Sequence, residues 1–332
     1  MNLEKHLISS FADLLPRSER QVNGLFESDS EILRTNRGYL LFSVDDYSDE
    51  DHFRTNNPFN LGWNLAVATI SDIFASGGVV SYFAHSVSVN NLEWDENYLN
   101  QFTKGIASVL DKTGAYFLGG DFGFSKNWHY TGIALGKSIR ALTRIGTSEG
   151  DIIFMTGTVG AGNMEAALRI FNPDNGNIPI QFIPRHREAK LIAKYAGCCI
   201  DTSDGTAVSL KIIAELNNIG FEITDTNYDL HSYRFAERMN IPKELLLLGE
   251  CGEYELLFTI AKEKAAMFRE EAKQENLHFK AIGEITSAEK KVINTPEVFI
   301  DLSEFNIRGR GFSSEKDYIK ELTKYIEYHG TN

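Results

Sequence analysis

Apolar and polar positions follow two periods along the first half of the chain. Gly38–Asp45, with the run Tyr39-Leu-Leu-Phe-Ser-Val44, reads as a strand. Residues 60–77 place Leu61, Leu65 and Ala68 at helical spacing and stop at Gly77-Gly78, which predicts a helix. Val79–Val89, rich in β-branched and aromatic residues, predicts a strand, and Glu96–Thr113 a helix packed through Leu99, Phe102, Ile106 and Leu110. Ala115–Leu118 and His129–Gly136 read as two strands paired with each other. Ahead of them, residues 3–15 form a short amphipathic pattern (Leu3, Leu7, Ile8, Phe11, Leu14). This order, close to βαββαββ, predicts a sheet with helices over one face.

A second unit begins near Gly150-Asp151. Asp151–Thr156 is a strand, followed by Gly157-Thr-Val-Gly-Ala-Gly162 and a helix from about Met164. Pro173–Pro184 is a loop, residues 187–196 a helix, and Ile200-Asp201 a strand end. Val208–Leu216 is helical, and Gly220–Ile223 and Glu255–Ile260 are strands. Ser313–Tyr328 is a charged terminal helix with Ile319, Leu322, Tyr325 and Ile326 inward. The expected class is α+β / α/β, in two domains, 1–148 and 149–332.

Composition changes this picture little. The 332 residues are 42% hydrophobic and 24% charged, as in ordinary globular chains. The net charge of −13 argues against nucleic acid or an anionic membrane surface as a partner. It leaves nucleotides open, because bound Mg²⁺ masks local carboxylates. The three cysteines, 198, 199 and 251, lack metal-site spacing. No signal-peptide pattern opens the chain and no apolar run reaches the roughly 20 residues of a membrane span, so the cytoplasm is the expected location.

The candidate chemistry is acidic. Asp45-Asp46, Asp121 and Asp201 follow apolar strands, Asp204 closes Asp201-Thr-Ser-Asp204, and Asp29 precedes another apolar run. Carboxylates gathered at strand ends repel unless a cation joins them, which suggests a metal–phosphate site. Asp72 falls on the stripe of Leu61, Leu65 and Ala68. It is either a buried carboxylate in need of a partner or part of an exposed last turn. Gly119-Gly-Asp121 suits a phosphate site or a plain glycine turn, and Asp201–Gly205 a site or a helix cap. Gly157–Gly162 lacks the dinucleotide-fold spacing, and Gly136-Lys-Ser138 lacks a matching P-loop. His52 is a loop histidine. Arg185-His-Arg187 is a phosphate contact or a solvated helix start.

The joint order of Leu65-Ala-Val67, Ser71-Asp72, Gly119-Gly-Asp121, Arg140-Ala-Leu-Thr-Arg-Ile-Gly146, Gly150-Asp151, Ile200–Gly205 and Tyr254-Glu-Leu256 resembles the thiamine-monophosphate kinase branch of the AIR synthetase-like (PurM-like) superfamily, over residues 25–260. The resemblance implies an N-terminal mixed sheet with helices on one face, a C-terminal α/β sandwich, and a homodimer in which two N-terminal sheets form a barrel. It implies ATP as substrate, several Mg²⁺ ions and thiamine monophosphate as acceptor. On it, Asp29, Ser43, Asp45, Asp72, Asp121, Asp201 and Asp204 match metal positions. Gly120, Asp121, Arg144 and Ser203 match nucleotide positions, and His52 and Glu253 substrate positions, with no catalytic base assigned.

The chain also departs from that pattern. Ser28 and Ser209 stand where the resemblance expects aspartates. Gly249-Glu-Cys-Gly-Glu-Tyr-Glu-Leu256 either replaces a substrate-contacting Glu by Gly252 or leaves Glu250 or Glu253 to serve. An aromatic segment expected to stack on the acceptor is absent from Ile307-Arg-Gly-Arg-Gly-Phe312. These departures keep open another small acceptor (phosphate, amide or carboxylate) or a non-catalytic nucleotide-binding role. Neither selenophosphate synthetases, with a reactive early Cys or Sec, nor the hydrogenase-maturation branch, with its C-terminal Cys, fit as well.

Overall fold

The computed structural model describes residues 3–49, 51, 57–90, 92–171 and 180–331. Its elements run α1 (Leu3–Leu14), β1 (Glu31–Thr35), β2 (Gly38–Ser48), α2 (Pro58–Ala75), β3 (Val79–Val89), α3 (Glu96–Thr113), β4 (Tyr116–Phe124) and β5 (His129–Ser138). The second half continues β6 (Ile152–Thr156), α4 (Ala161–Phe171), α5 (His186–Tyr195), β7 (Cys199–Asp201), α6 (Thr206–Asn217), β8 (Gly220–Ile223), α7 (Leu230–Met239) and α8 (Leu245–Leu248). It ends β9 (Leu256–Ile260), α9 (Lys262–Gln274), β10 (Phe279–Thr286), β11 (Lys291–Asn294), β12 (Phe299–Asp301), α10 (Glu315–His329) and β13 (Gly330–Thr331).

Two sheets carry these elements. The first has five strands in the order β1-β2-β5-β3-β4, and the second eight, β13-β12-β11-β8-β10-β6-β9-β7. The expected pairing of β4 with β5 does not occur. β5 inserts between β2 and β3, antiparallel to both, and β4 lies parallel to β3 on the edge. β1, which the apolar pattern did not separate, pairs with β2. The acidic positions shift accordingly. Asp45, Asp46 and Asp121 lie inside strands rather than at their ends, because β2 keeps its pairing with β5 as far as Ser48↔His129. Alternation then puts Ser43, Asp45 and Tyr47 on one face of β2.

Helix α2 joins the halves. Asn57 caps it through the backbone N–H of Asn60, and Pro58 opens it. It is buried almost all round, as its apolar run requires. The segment at 180–182 grips it: Trp63 Nε1 donates to the Phe182 carbonyl at 2.7 Å, Asn64 donates to the Ile180 carbonyl at 2.7 Å, and the Phe182 N–H donates back to Asn64 at 3.0 Å. One continuous core includes Phe74 and Phe83 of the first half and Phe154 and Phe258 of the second. The edge strand β7 of the second sheet packs on α2. That contact carries Asp201, the last residue of β7, towards Asp72.

Glycines set the closeness of α2 and α3. A Cβ on Gly105 would strike the Phe59 carbonyl and the Trp63 amide, and one on Gly62 the Phe102 carbonyl. These obstacles are backbone, which a rotamer change does not relieve. Gly105→Ala should therefore destabilise the protein by about 2–3 kcal/mol in urea unfolding. Lys104→Ala, at an exposed position of α3, should change stability by no more than about 0.5 kcal/mol. Equal midpoints for the two variants would show that α3 does not need this close approach.

Candidate functional site

Three carboxylates from three separate segments meet where α2 faces β7. Oxygens of Asp29, Asp72 and Asp201 lie within 4.8 Å of one another. Asp29 sits in the turn before β1, and Arg144 holds it through Nη2 to Oδ1 at 2.9 Å. The same arginine donates through Nη1 to the Phe26 carbonyl at 3.2 Å, and its backbone N–H donates to the Glu27 carbonyl at 2.7 Å. Phe26 has φ 66°, uncommon for a bulky residue, so these contacts hold a strained turn. Asp72 accepts a 2.7 Å hydrogen bond from Ser43 Oγ across the face of β2. The alternative of an exposed last turn is thereby ruled out. Asp201 Oδ1 accepts the Ser203 backbone N–H at 3.2 Å, while its buried Oδ2 has no hydrogen-bond partner.

The electrostatics follow from crowding. Burial raises the Asp72 pKa well above the usual carboxylate range, and the charges of Asp45, Asp201 and Asp29 raise it further against the Ser43 hydrogen bond. Burial, then Asp29, lifts Asp201 to about 6, offset in part by the neighbouring Ser71 and Ser203 hydroxyls. Burial disfavours the Arg144 cation, but Asp29 and then Asp72 and Asp201 more than offset that, and its pKa is raised. One guanidinium does not neutralise three acids. An all-oxygen donor set with one buried, unpartnered oxygen fits a hard divalent cation.

The remaining sequence candidates are distributed unevenly. Asp45, Ser203 and Asp204 line a cavity of about 970 Å³ that Asp72 also lines. Asp204 is exposed and paired with Arg308 at 2.9 Å. Asp121 is exposed on edge strand β4, opposite Ser86, and does not line this cavity. Gly120 serves strand packing, since a Cβ there would strike the His85 backbone and ring. His52 lies outside the described residues. Ser28 Oγ lies 3.1 Å from Ser76 Oγ, and Ser209 Oγ donates to the Asp201 and Gly205 carbonyls at 3.0 Å. Where the resemblance expects carboxylates, these two hydroxyls tie backbone and turn together.

Glu253 needs correction as a substrate contact. It is buried, does not line the cavity, and its Oε1 accepts the N–H groups of Gly160 and Gly162 at 2.8 and 2.9 Å. The glycine-rich turn that opens α4 is thus an anion cradle filled by the protein's own carboxylate. Glu250 is the member of the pair that lines the cavity. Arg185 gives up the phosphate role in the same way: it pairs with Glu255 at 2.5 Å and Glu188 at 3.1 Å. Gly252 has no room for a side chain, because a Cβ would strike the Thr202 carbonyl.

Sequence reasoning missed the far wall of the cavity. Beyond the acids it becomes apolar, with Ala166, Ile170, Phe235, Ile241 and Leu246. Phe312 and Tyr318 also line it, their ring centroids 5.9 Å apart. The expected absence of an aromatic wall is therefore overturned. Phe312 was visible in the divergent stretch, but Tyr318 joins it only because α10 folds back over that stretch.

Burial pushes Glu253 up to about 8, partly opposed by the two N–H donors. The folded state then keeps a proton that the unfolded chain loses near the usual 4.5, so ionisation should cost stability as pH rises from about 4.5 to 8. Glu253→Gln keeps an acceptor oxygen and removes the charge. Its stability relative to the parent chain should rise between about pH 5 and 8 and then level off, as read from urea midpoints. A pH-independent difference would show that Glu253 is ionised throughout.

Comparison with known proteins agrees with this geometry. Residues 27–138 match the family model for the AIR synthase related protein, N-terminal domain. A thiamine-monophosphate kinase from Archaeoglobus fulgidus is 27% identical over 264 residues, covering 78% of this chain and 86% of that protein. One from Bacillus subtilis is 25% identical over 275 residues, covering 75% and 81%. The solved structure "AaThiL complexed with AMPPCP and TMP" superimposes with a TM-score of 0.74 at 22% identity, covering 89% of this chain and 95% of that one. The fold is therefore PurM-like, and over most of its length the chain is similar to thiamine-monophosphate kinases.

Proposed function

We propose that the chain is an ATP- and Mg²⁺-dependent phosphotransferase that converts thiamine monophosphate and ATP to thiamine diphosphate and ADP. The observation that carries this reading is the trio Asp29, Asp72 and Asp201, which adjoins a cavity with an acidic end and an aromatic, apolar end. Asp29, Asp72 and Asp201 would hold divalent cations, with Asp45 and Asp204 along the cavity, Ser43 buried against Asp72 and Asp121 on β4. Bound there, such cations supply neutralisation of phosphate charge during transfer. The chain's own residues do the positioning. Arg144 fixes the turn that bears Asp29, and Ser43 orients Asp72. Ser203, Arg144, Gly120 and Asp121 are the proposed nucleotide contacts, and His52 a proposed acceptor contact. A phosphate monoester is already ionised, so no side chain need act as base.

The same reading takes 1–148 and 149–332 as the two domains and a homodimer as the assembly. Edge strand β4 supports the dimer, since it exposes Tyr116, Phe122 and Phe124. Asp121 and Gly120 lie on that strand, so a partner there would add to the surroundings of both. A cytoplasmic location accords with this substrate pair, and no helix among the described residues is long and apolar enough to cross a membrane. One observation favours a different small acceptor: no side chain fits at Gly252, where the resemblance allows a substrate-contacting Glu to have stood.

Two measurements test the proposal. Incubation with Mg²⁺, ATP and thiamine monophosphate should yield ADP and thiamine diphosphate in equal amounts. ATP consumption with another acceptor only would move the reading to that acceptor. Asp72→Asn should change two quantities in opposite directions. Without metal it should raise the melting temperature, because it removes a repelled, buried charge. In calorimetry it should weaken Mg-ATP binding at least about tenfold. Unchanged Mg-ATP affinity would sink the metal assignment.

A further inference from the structure

The cavity must receive two anions, yet its described lining is rich in acids. Among the described lining residues only Arg308 and Arg310 carry positive charge. Both belong to the strap that leads from β12 to α10 and forms one wall of the cavity. Arg308 is held between the two ends of the site. Its Nη2 donates to Asp204 Oδ2 at 2.9 Å, and its Nε lies 2.5 Å from Glu250 Oε1. The other Glu250 oxygen accepts the Gly309 N–H at 2.6 Å, so one carboxylate fixes both the side chain and the strap that bears it. The guanidinium fork has five N–H donors; the hydrogen bond to Asp204 commits one donor of Nη2, and Nε faces Glu250 Oε1 as an ion pair. Nη1 makes no hydrogen bond within the described residues.

We infer that Arg308 is the specificity-determining residue for the acceptor's phosphate, with Glu250 its positioning residue. The inference rests on the phosphotransfer reading and deepens it. An acceptor phosphate must approach the acidic trio to meet the nucleotide, and without a cation of the protein's own on that route it would face only carboxylates. Arg308 lies beside Asp204, at the junction of the acidic end and the wall bearing Phe312. Its planar fork matches two oxygens of a phosphate, and its orientation is set in advance by Glu250. Arg308 therefore selects phosphorylated acceptors over the same molecule without phosphate. Glu250 acts through Arg308 and touches no acceptor phosphate itself.

Calorimetric titration of thiamine monophosphate and of thiamine, each with Mg²⁺ and a non-hydrolysable ATP analogue, tests this. The intact chain should prefer the phosphorylated form. Arg308→Gln should weaken thiamine monophosphate about 10- to 100-fold and leave thiamine within about twofold, which also reports that the cavity is intact. Arg308→Lys keeps the charge without the fork and should fall between the two, which covers a failure of the glutamine variant to fold. Glu250→Gln should weaken the phosphorylated ligand alone, by a smaller factor. Equal affinity of Arg308→Gln and the intact chain for thiamine monophosphate overturns the inference, as does an equal loss for both ligands. An intact chain that binds the ATP analogue but neither thiamine species overturns the choice of acceptor, and this inference with it.

Discussion

Three carboxylates within 4.8 Å of one another, Asp201 buried and Asp29 and Asp72 half-buried, are the constraint on which the rest depends. Two unit charges about 5 Å apart repel by roughly 3 kcal/mol at an effective dielectric near 20. No local segment would gather such groups unaided. Each acid is therefore held by an element whose position is fixed elsewhere. Asp72 rides on α2, which is buried on nearly every side; Asp201 ends β7, tied by its pairing with β9; Asp29 sits on a turn clamped by Arg144. The stability of the two sheets holds an unfavourable charge arrangement in place, as is usual where a site must be ready for a ligand.

This division explains what the sequence made legible. Helices α2 and α3 and strands β3, β6 and β9 announce themselves because each has a long apolar pattern of one period. The pairing of β4 with β3 was not legible. β5 reaches its place between β2 and β3 through long-range pairing, and no turn residue marks that choice. The acids inside β2 looked like a strand end because polar residues interrupt its apolar run. In the structure the end of that strand meets the cavity through Asp45, Asp46 and Tyr47, while Ser43 on the same face as Asp45 turns to Asp72. Asp72 was legible as an anomaly on an apolar stripe, although its partner Ser43, 29 positions away, was not.

Glu253 and Glu250 show why spacing alone misassigned a residue. Both sit in the same short loop between α8 and β9. Their fates differ through geometry that sequence does not record. Glu253 turns inward to the N–H groups opening α4, and the close packing of Gly162 against the Cys251 carbonyl leaves that cradle no room for a ligand. Glu250 turns to the cavity because the strap brings Arg308 and the Gly309 N–H to it from more than fifty residues away.

The acids of this chain sort by whether their oxygens are satisfied from within. Glu255 is saturated by Arg185 and Thr156. Glu253 is held by a helix N-terminus. Glu255 can persist ionised without a ligand because its oxygens have new donors, whereas Glu253 has two donors on one oxygen and keeps a raised pKa. Asp201 has one oxygen satisfied and one buried without a donor, beside two further carboxylates. Burial without a partner is costly, and neighbouring like charge adds to the cost. Under the proposed function, a divalent cation would relieve that cost. The site is therefore marked by three acids drawn together from α2, β7 and the turn before β1, with one oxygen of Asp201 left without a close donor.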